Sequence, residues 1–261
     1  MSKPKAIILR TAGTNCDQET AFAFNTTGAE AELVHVNQLL RKEKSLEDFQ
    51  ILAIPGGFSY GDDLAAGKIL ANELKYKLLN EVKQFISDGK LIIGICNGFQ
   101  ILVKAGLLPG MDGFNQEATL MLNDSGKFED RWTYLKTADS KCVWVKDLPE
   151  VIYLPIAHGE GKFVTKDNAV LNKLKENKQV VFKYSDEKGK FGDYPVNPNG
   201  SMEDIAGICD ETGRIFGLMP HPERHFLFQQ HPHWTRLKSR TKFGDGAAIF
   251  KNGVEYAKKN L

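Results

Sequence analysis

Residues 90–105, KLIIGICNGFQILVKA, run from an apolar stretch straight into a helical pattern. Residues 90–95 are almost continuously apolar, which is typical of a strand buried on both faces of a parallel sheet. Residues 97–105 have helical periodicity and stop before Gly106, a residue suited to the C-terminal cap of a helix. The stretch therefore predicts a buried strand that turns into a helix at Cys96.

The first 110 residues repeat this alternation of strand and helix. Apolar runs predict strands at 5–9, 31–36 and 49–54, with a helix between the first two that closes at Gly28. Another helix should end at Gly89 and present one apolar face, made of Leu74, Leu78, Val82 and Phe85. Such alternation predicts an α/β fold with a mostly parallel open sheet, right-handed crossovers and helices on both faces.

After Pro109 the pattern changes to shorter strands separated by polar turns. These strands predict an added antiparallel or mixed region, and they lie near 118–122, 131–136, 142–145, 151–156 and 180–184. Residues 186–201 are rich in Gly, Pro and Asn and predict a long loop. The parallel pattern should then finish with strands at 204–209 and 215–219. Because no convincing linker divides the chain, we predict a single domain over residues 1–261.

The composition argues against several classes of protein. The chain has 34 Lys and Arg against 33 Asp and Glu, a formal net charge of +1, and no basic stripe, so we expect neither a nucleic-acid nor a membrane partner. The apolar run at 6–9 is too short for a signal peptide or a membrane span. The four cysteines form no C-x-x-C pair, which argues against a structural zinc site. We therefore expect a cytoplasmic protein with reduced thiols and no metal.

Two segments match the G-x-[nucleophile]-x-G pattern of a strand-to-helix elbow, GFSYG at 57–61 and GICNG at 94–98. Cys96 directly follows a strand, whereas Pro55 and two glycines end the preceding strand before Ser59 is reached. The start of a helix also stabilises a thiolate through its dipole and free amides. We therefore predict Cys96 as the nucleophile, with an inert buried cysteine as the alternative. An inert thiol is the preferred interpretation for Cys16, Cys142 and Cys209, which lack an elbow.

A nucleophilic thiol needs a base and a group that orients the base. His221 follows the apolar strand predicted at 215–219, and Pro222 favours an extended backbone there. In an extended backbone, residues i and i+2 point to the same side, so Glu223 can reach the imidazole. We predict His221 as base and Glu223 as its orienting residue; a surface turn without chemistry is the alternative.

Other histidines provide competing interpretations. His158 has Glu160 nearby and ranks second as a base, since its position at a strand end is less clear. Four histidines could in principle form a metal cluster: His221, His225, His231 and His233. No cysteine pair or acid at ligand spacing supports that cluster, and we expect His225 and His233 at the surface.

Acyl transfer also needs donors for the developing oxyanion. The backbone N–H of Asn97, directly after the nucleophile, is one candidate. The turn at Gly56 and Gly57, at the end of a neighbouring strand, can provide the second, because glycine has no side chain to block approach.

Three motifs together resemble class I glutamine amidotransferases: GICNGFQ at 94–100, PGGFS at 55–59 and MPHPER at 219–224. Further segments resemble one branch, the glutaminase subunits of phosphoribosylformylglycinamidine synthase, from purine biosynthesis. These segments are SYGDD at 59–63, PIAHGEG at 155–161, NPNGS at 197–201 and GDG at 244–246. The resemblance extends from about residue 5 to the end of the chain.

The resemblance implies a flavodoxin-like class I amidotransferase core and a role for each matching residue. Cys96 would form a glutamyl thioester, His221 would shuttle protons and Glu223 would orient His221. The amides of Gly57 and Asn97 would hold the oxyanion, and Gln100 would lie near the glutamine pocket. Many other class I enzymes have leucine at the Asn97 position; asparagine is typical of the purine branch.

The resemblance also implies partners. The glutaminase would pass ammonia to an ATP-dependent synthetase subunit, which converts formylglycinamide ribonucleotide to formylglycinamidine ribonucleotide. A small accessory subunit is a further candidate partner. The sequence has no P-loop, so we expect no cofactor in this chain and place ATP and Mg²⁺ on the synthetase.

Two other functions stay open at this point. One is a different cysteine-dependent α/β hydrolase, such as an intracellular peptidase, which would share the elbow but has no reason to carry His-Pro-Glu after the last strand pair. The other is a non-catalytic scaffold subunit, which would have no need of an intact triad.

Overall fold

The computed structural model describes residues 3–111, 113–238 and 241–261. Eleven strands follow in chain order: β1 (Lys5–Arg10), β2 (Glu30–His35), β3 (Ile51–Ile54), β4 (Leu91–Ile95), β5 (Ala118–Met121), β6 (Glu129–Thr137), β7 (Val151–His158), β8 (Lys162–Thr165), β9 (Val180–Ser185), β10 (Ile205–Cys209) and β11 (Ile215–Leu218). The α-helices are α1 (Asp17–Thr26), α2 (Val36–Leu40), α3 (Lys68–Tyr76), α4 (Leu79–Ser87), α5 (Asn97–Lys104), α6 (Asn168–Glu176) and α7 (Ala247–Asn260).

Nine of these strands form one sheet in the order β2-β1-β3-β4-β11-β10-β9-β6-β7. The pairs from β2 to β11 are parallel, and the pairs from β11 to β7 are antiparallel. β5 and β8 form a separate two-stranded antiparallel sheet. The predicted parallel sheet with an added antiparallel region is therefore confirmed.

The strand order fixes where loops meet. β2 lies on one side of β1, whereas β3 and β4 lie on the other, so right-handed crossovers place α1 and α3 on opposite faces. A reversal of this kind opens a crevice at the carboxyl ends of the strands, where α/β proteins bind ligands. The loops after β1, β3, β4 and β11 all meet at that edge.

The core lies on both faces of the parallel half. β3 and β4 are buried along their whole length, as expected for strands covered by helices on each side. On one face α1 packs against α7, with the rings of Phe24 and Phe250 edge to face at 5.1 Å. Among the described residues, no helix is both long enough and apolar enough to cross a bilayer.

Several details differ from the predictions. The helix expected before residue 90 is two helices, because α3 closes when the N–H groups of Lys77 and Leu78 both bond to the Glu73 carbonyl. The four residues predicted to form the apolar face of that helix, Leu74, Leu78, Val82 and Phe85, are nevertheless all buried. The strand expected at 142–145 is a 3₁₀ turn that buries Trp144 against Gly253 of α7.

The last strand pair also differs. The strand predicted at 204–209 was expected to be parallel, but β10 is antiparallel to both of its neighbours. The short turn at 210–213 explains this, since so few residues can join β10 to β11 only as a hairpin. β8 and α6 were not predicted. The division of the chain into domains stays a prediction.

Candidate active site

Cys96 occupies a strained elbow between β4 and α5, as predicted. Its φ of 51° and ψ of −105° are unusual for a residue with a side chain. The elbow packs so closely on β3 that a Cβ on Gly98 would lie 1.8 Å from the carbonyl oxygen of Ile54. A Cβ on Gly94 would lie 2.6 Å from the Gly98 carbonyl oxygen. Both flanking glycines are therefore required by the backbone geometry that presents the thiol.

His221 and Glu223 form a buried pair beside this elbow. Nδ1 of His221 lies 2.6 Å from Oε1 of Glu223, and the two residues are only 2% and 1% exposed. The pair reaches Cys96 because β11, which precedes it, is parallel to β4, and the Cys96 N–H donates to the Leu218 carbonyl at 2.8 Å. The contact was predicted from an extended backbone, but Pro222–His225 is a 3₁₀ turn. The turn, not an extended strand, brings Glu223 back to the ring.

The charges around His221 favour its protonated form. Burial alone would lower the pKa of His221, but the negative charges of Glu223 and Cys96 outweigh it and raise the pKa well above its usual value. Glu223 fixes Nδ1, so Nε2 is the nitrogen left for the nucleophile. Nε2 has no hydrogen-bond partner among the described residues.

Gly56 lies between the imidazole and the elbow. A Cβ at this position would lie 2.7 Å from Cε1 of His221 and 3.4 Å from Cβ of Cys96. The side chains of Cys96 and His221 thus both border the space that glycine leaves open. Any larger residue would push the ring away from the thiol.

The predicted oxyanion donors are both available. Gly57 has a φ of 143° and pairs with Thr14 in an isolated antiparallel bridge. The bonds of that bridge come from the N–H groups of Phe58 and Asn15, so the Gly57 N–H points away from Thr14. Asn97 is the first residue of α5, where amide N–H groups have no intrahelical acceptor.

A pocket of about 180 Å³ opens beside the thiol. Its wall includes Gln100, the residue that the resemblance placed near the glutamine pocket. The amide nitrogen of Gln100 donates to the Glu160 carbonyl at 2.7 Å, which ties α5 to the loop after β7. The other lining residues are Gly57, Phe58, Asp62, Ala66, Cys96, Leu122, Phe128, Ala157, His158, Gly159 and Glu160.

The two rejected candidates have other roles in the structure. Ser59 is buried, and its hydroxyl donates to Oδ1 of Asn97 at 2.5 Å, so it is not presented as a nucleophile. His158 contacts Asn123 at 3.1 Å, not the carboxylate of Glu160, which pairs with Lys104 at 3.5 Å. Burial, reinforced by the charge of His221, lowers the pKa of His158 to about 3. His158 therefore stays neutral and lacks the acid that a catalytic base uses.

The four histidines considered as a metal cluster do not come together as one group. The ring of His231 lies 5.5 Å from that of His225 and 6.1 Å from that of His233, whereas His221 pairs with Glu223. His225 was expected at the surface but is 2% exposed, and its Nδ1 bonds the Tyr153 carbonyl at 2.7 Å. His233 is exposed, as predicted. Within the described residues, the metal-type donor atoms that lie within 4.8 Å of one another belong to Cys16, His221 and Glu223.

The prediction missed Cys16 as a neighbour of the site. Its sulfur lies 3.9 Å from Nδ1 of His221 and accepts from the Arg224 guanidinium at 3.1 Å. Burial, opposed by contacts with His221 and Arg224, raises the pKa of the Cys16 thiol. The available signal was its position after β1, whose carboxyl end lies at the same edge of the sheet as the elbow.

A thiol on an elbow next to a buried histidine–glutamate pair, at the carboxyl edge of a parallel sheet, defines the class of cysteine-dependent α/β enzymes. Within that class, the family model of the CobB/CobQ-like glutamine amidotransferase domain matches residues 3–257. The chain belongs to this glutamine amidotransferase family. Within the family it belongs with the PurQ subunits.

Phosphoribosylformylglycinamidine synthase subunit PurQ of Dehalococcoides mccartyi is 52% identical over 261 residues, covering 99% of this chain and 100% of that protein. The PurQ subunit of Methanococcus maripaludis is 45% identical over 269 residues, covering 98% of each protein. The structure of PurLQS from Thermotoga maritima matches with a TM-score of 0.75 and 33% identity, covering 98% of this chain and 99% of that one.

These findings confirm the resemblance and the fold class stated from the sequence. They support the amidotransferase interpretation and give no support to the peptidase or the scaffold. The role of each site residue stays a prediction.

Proposed function

We propose that this chain is the glutaminase subunit of a phosphoribosylformylglycinamidine synthase and that it hydrolyses glutamine at Cys96. The observation that carries the proposal is the strained elbow thiol next to the 2.6 Å His221–Glu223 pair. The family and the PurQ relatives supply the substrate class, an amide that is split into an acid and ammonia.

Cys96 and His221 share one proton, which the raised pKa of His221 favours on the imidazole, and the sulfur of Cys96 attacks the carboxamide carbon of glutamine as a thiolate. The carbonyl oxygen becomes an oxyanion and accepts hydrogen bonds from the N–H groups of Gly57 and Asn97. When the C–N bond breaks, His221 returns the proton to the departing nitrogen, and ammonia leaves. Cys96 then carries a glutamyl thioester.

Water completes the cycle. His221 takes a proton from the water that attacks the thioester, then returns it to the sulfur as the C–S bond breaks, which releases glutamate. Glu223 stabilises the imidazolium at both steps, because its carboxylate lies 2.6 Å from Nδ1 in a buried site where charges interact strongly. The raised pKa of His221 reflects the same contact.

Glutamine would enter the pocket of about 180 Å³ beside Cys96, with Gln100 in its wall. We further propose that ammonia passes to a synthetase subunit, with a small accessory subunit as a third component. Two facts support this assembly: the relatives are called subunits of the synthase, and the solved relative is part of PurLQS. ATP and Mg²⁺ would bind the synthetase, and the complex would be cytoplasmic.

A covalent glutamine analogue tests the proposal. The chain, alone and then with its synthetase, is treated with an electrophilic diazo-ketone analogue of glutamine, and intact mass and peptide mapping locate the adduct. We expect one adduct on Cys96 that excess glutamine suppresses. Cys96→Ala should lose the adduct, and Cys16→Ser, which removes the neighbouring thiol, should keep it. An adduct on Cys16, or no adduct in the complex, would contradict the proposal.

A further inference from the structure

The side chain of Asn97 is a fully bonded hub beneath the elbow. Its oxygen accepts from the Ser59 N–H at 3.1 Å and from the Ser59 hydroxyl at 2.5 Å. Its nitrogen donates to Asp62 at 3.2 Å and to Gln100 at 2.9 Å. Asn97 is 1% exposed, and these contacts use both amide hydrogens and both acceptor positions. A buried amide with every position satisfied holds one geometry.

The hub connects three segments that border the pocket. Ser59 and Asp62 belong to the turn after β3, and Gln100 belongs to α5. Gln100 continues the chain of bonds to the carbonyl of Glu160, after β7. One side chain thus ties the turn that contains Gly57 to the helix that begins at the elbow.

The turn after β3 has a strained backbone. Tyr60 and Asp62 have positive φ values of 56° and 54°, which residues with a side chain rarely adopt. Gly57 lies two residues before Ser59, so the two bonds at Ser59 limit how far the Gly57 amide can move. Backbone bonds hold the turn on the side of β1, where the N–H groups of Phe58 and Tyr60 donate to the carbonyls of Gly13 and Ala12 at 2.9 and 2.8 Å. On the side of α5, the bonds from Ser59 to the Asn97 side chain hold it.

We infer that the side chains of Asn97 and Ser59 form a clamp that sets the separation of the two oxyanion donors, the amides of Gly57 and Asn97. The inference rests on the proposed glutaminase function. Asn97 then acts twice: its backbone supplies one donor, and its side chain positions the segment that supplies the other. Ser59 is a positioning residue that does not touch the substrate.

Two rates measured on the same variants separate this role from simple structural support. The first is kcat for glutamate release in the complex with the synthetase, which needs the oxyanion donors. The second is the rate of alkylation of Cys96 by iodoacetamide, a displacement at carbon that forms no oxyanion. The variants are Ser59→Ala, Asn97→Leu and the double variant, and each is checked for its unfolding temperature.

We expect kcat to fall about tenfold in Ser59→Ala, the loss of one hydrogen bond, and about 10²-fold in Asn97→Leu, approaching the loss of an oxyanion donor. Alkylation should stay within about twofold of wild type, and the double variant should match Asn97→Leu, since both changes remove the same contact. If Asn97→Leu does not fold, Ser59→Ala alone still tests the clamp through its kcat and its alkylation rate.

Unchanged kcat in Ser59→Ala, an equal fall in kcat and alkylation, or multiplied effects in the double variant would each overturn the clamp. None of those results would contradict the proposed glutaminase function, because the wild-type complex would still release glutamate. A wild-type complex that releases no glutamate would instead overturn the proposed function, and the clamp with it.

Discussion

Two neighbouring turns in this protein share a sequence pattern but not a structure. GFSYG at 57–61 follows β3, and GICNG at 94–98 begins in the last two residues of β4, the parallel neighbour of β3. Cys96 lines the pocket on a strained elbow, whereas Ser59 is buried and donates its hydroxyl to Asn97. The turn with Ser59 therefore supports the turn with Cys96 and does not duplicate it.

The difference comes from where each strand ends. β4 ends at Ile95, so the change of direction falls on Cys96 itself. β3 ends at Ile54, and Pro55, Gly56 and Gly57 make the change of direction before the serine. A nucleophile elbow is thus specified by the distance from the strand end to the nucleophile, and the spacing of the glycines alone does not specify it.

Replacing the central residue of each turn, Cys96 or Ser59, with alanine gives the largest expected difference in kcat. Cys96→Ala should lower kcat for glutamate release about 10⁴-fold or more, since it removes the sulfur that is proposed to form the covalent bond. Ser59→Ala should lower it only about tenfold. Glutamate release measured with the assembled complex checks both values. If Ser59→Ala were as inactive as Cys96→Ala at normal thermal stability, the assignment of roles to the two turns would be wrong.

Glu223→Gln tests the proposed role of Glu223, which is to orient His221, the base proposed for Cys96. The change keeps the shape but removes the negative charge that raises the pKa of His221, so kcat should fall about 10²–10⁴-fold. The imidazolium would also lose its proton at lower pH. The alkaline limb of the profile of kcat/KM against pH should therefore move to lower pH.

The profile is measured from pH 5 to 10 on wild type and Glu223→Gln, with Glu19→Gln as the control. Glu19 lies on α1 and pairs with Arg224 at 3.5 Å. Glu19→Gln therefore removes a nearby carboxylate that does not contact the imidazole. An alkaline limb that stays in place in Glu223→Gln would show that Glu223 does not set the charge of His221.

The sequence predicted the parts of the site that local geometry determines. The parallel strands and the elbow at Cys96 follow from apolar runs and glycine spacing. The His221–Glu223 contact was predicted correctly, but from an extended backbone where the structure has a 3₁₀ turn. The sequence did not predict contacts between distant segments, such as Cys16 with His221 or Ser59 with Asn97, which are 205 and 38 residues apart. Those depend on the strand order, and no periodic pattern encodes that order. His225 was misplaced for the same reason, since its burial comes from contact with β7.

The matched glycines provide a sharper comparison of the two turns. Gly98 and Gly61 occupy the same place in the two patterns. A Cβ at Gly98 would meet the backbone of Ile54 at 1.8 Å, whereas a Cβ at Gly61 would meet only the flexible Asp63 side chain at 3.0 Å. Gly98→Ala should therefore cost about 3 kcal/mol of unfolding free energy or more, since backbone must move.

Gly61→Ala should cost less, about 1–2 kcal/mol, because only its φ of 70° opposes a side chain. Urea unfolding of both variants measures the difference. Equal costs would mean that the elbow tolerates displacement, and the close packing of α5 on β3 would not explain why glycine is needed there.

The smallest effect concerns His158, buried in the pocket wall beside the elbow. Its pKa is lowered to about 3 from 6.5, mainly by burial, so the native state keeps it neutral while the unfolded chain binds a proton below pH 6.5. Stability from this group is complete above pH 6.5 and is lost as pH falls toward 3. Between pH 7 and pH 5 the loss is about 2 kcal/mol, because the slope reaches about 1.4 kcal/mol per pH unit only below pH 6.5. The raised pKa of His221 acts in the opposite direction, since its contribution to stability is complete below the unfolded pKa.

A comparison of two variants cancels the contribution of His221. Wild type should lose about 2 kcal/mol more unfolding free energy than His158→Asn in urea unfolding between pH 7 and pH 5. His233→Asn, at an exposed position, should keep the wild-type slope. An unchanged slope in His158→Asn would mean that the pocket wall accepts the proton, and the neutral role given to His158 beside Cys96 would be wrong.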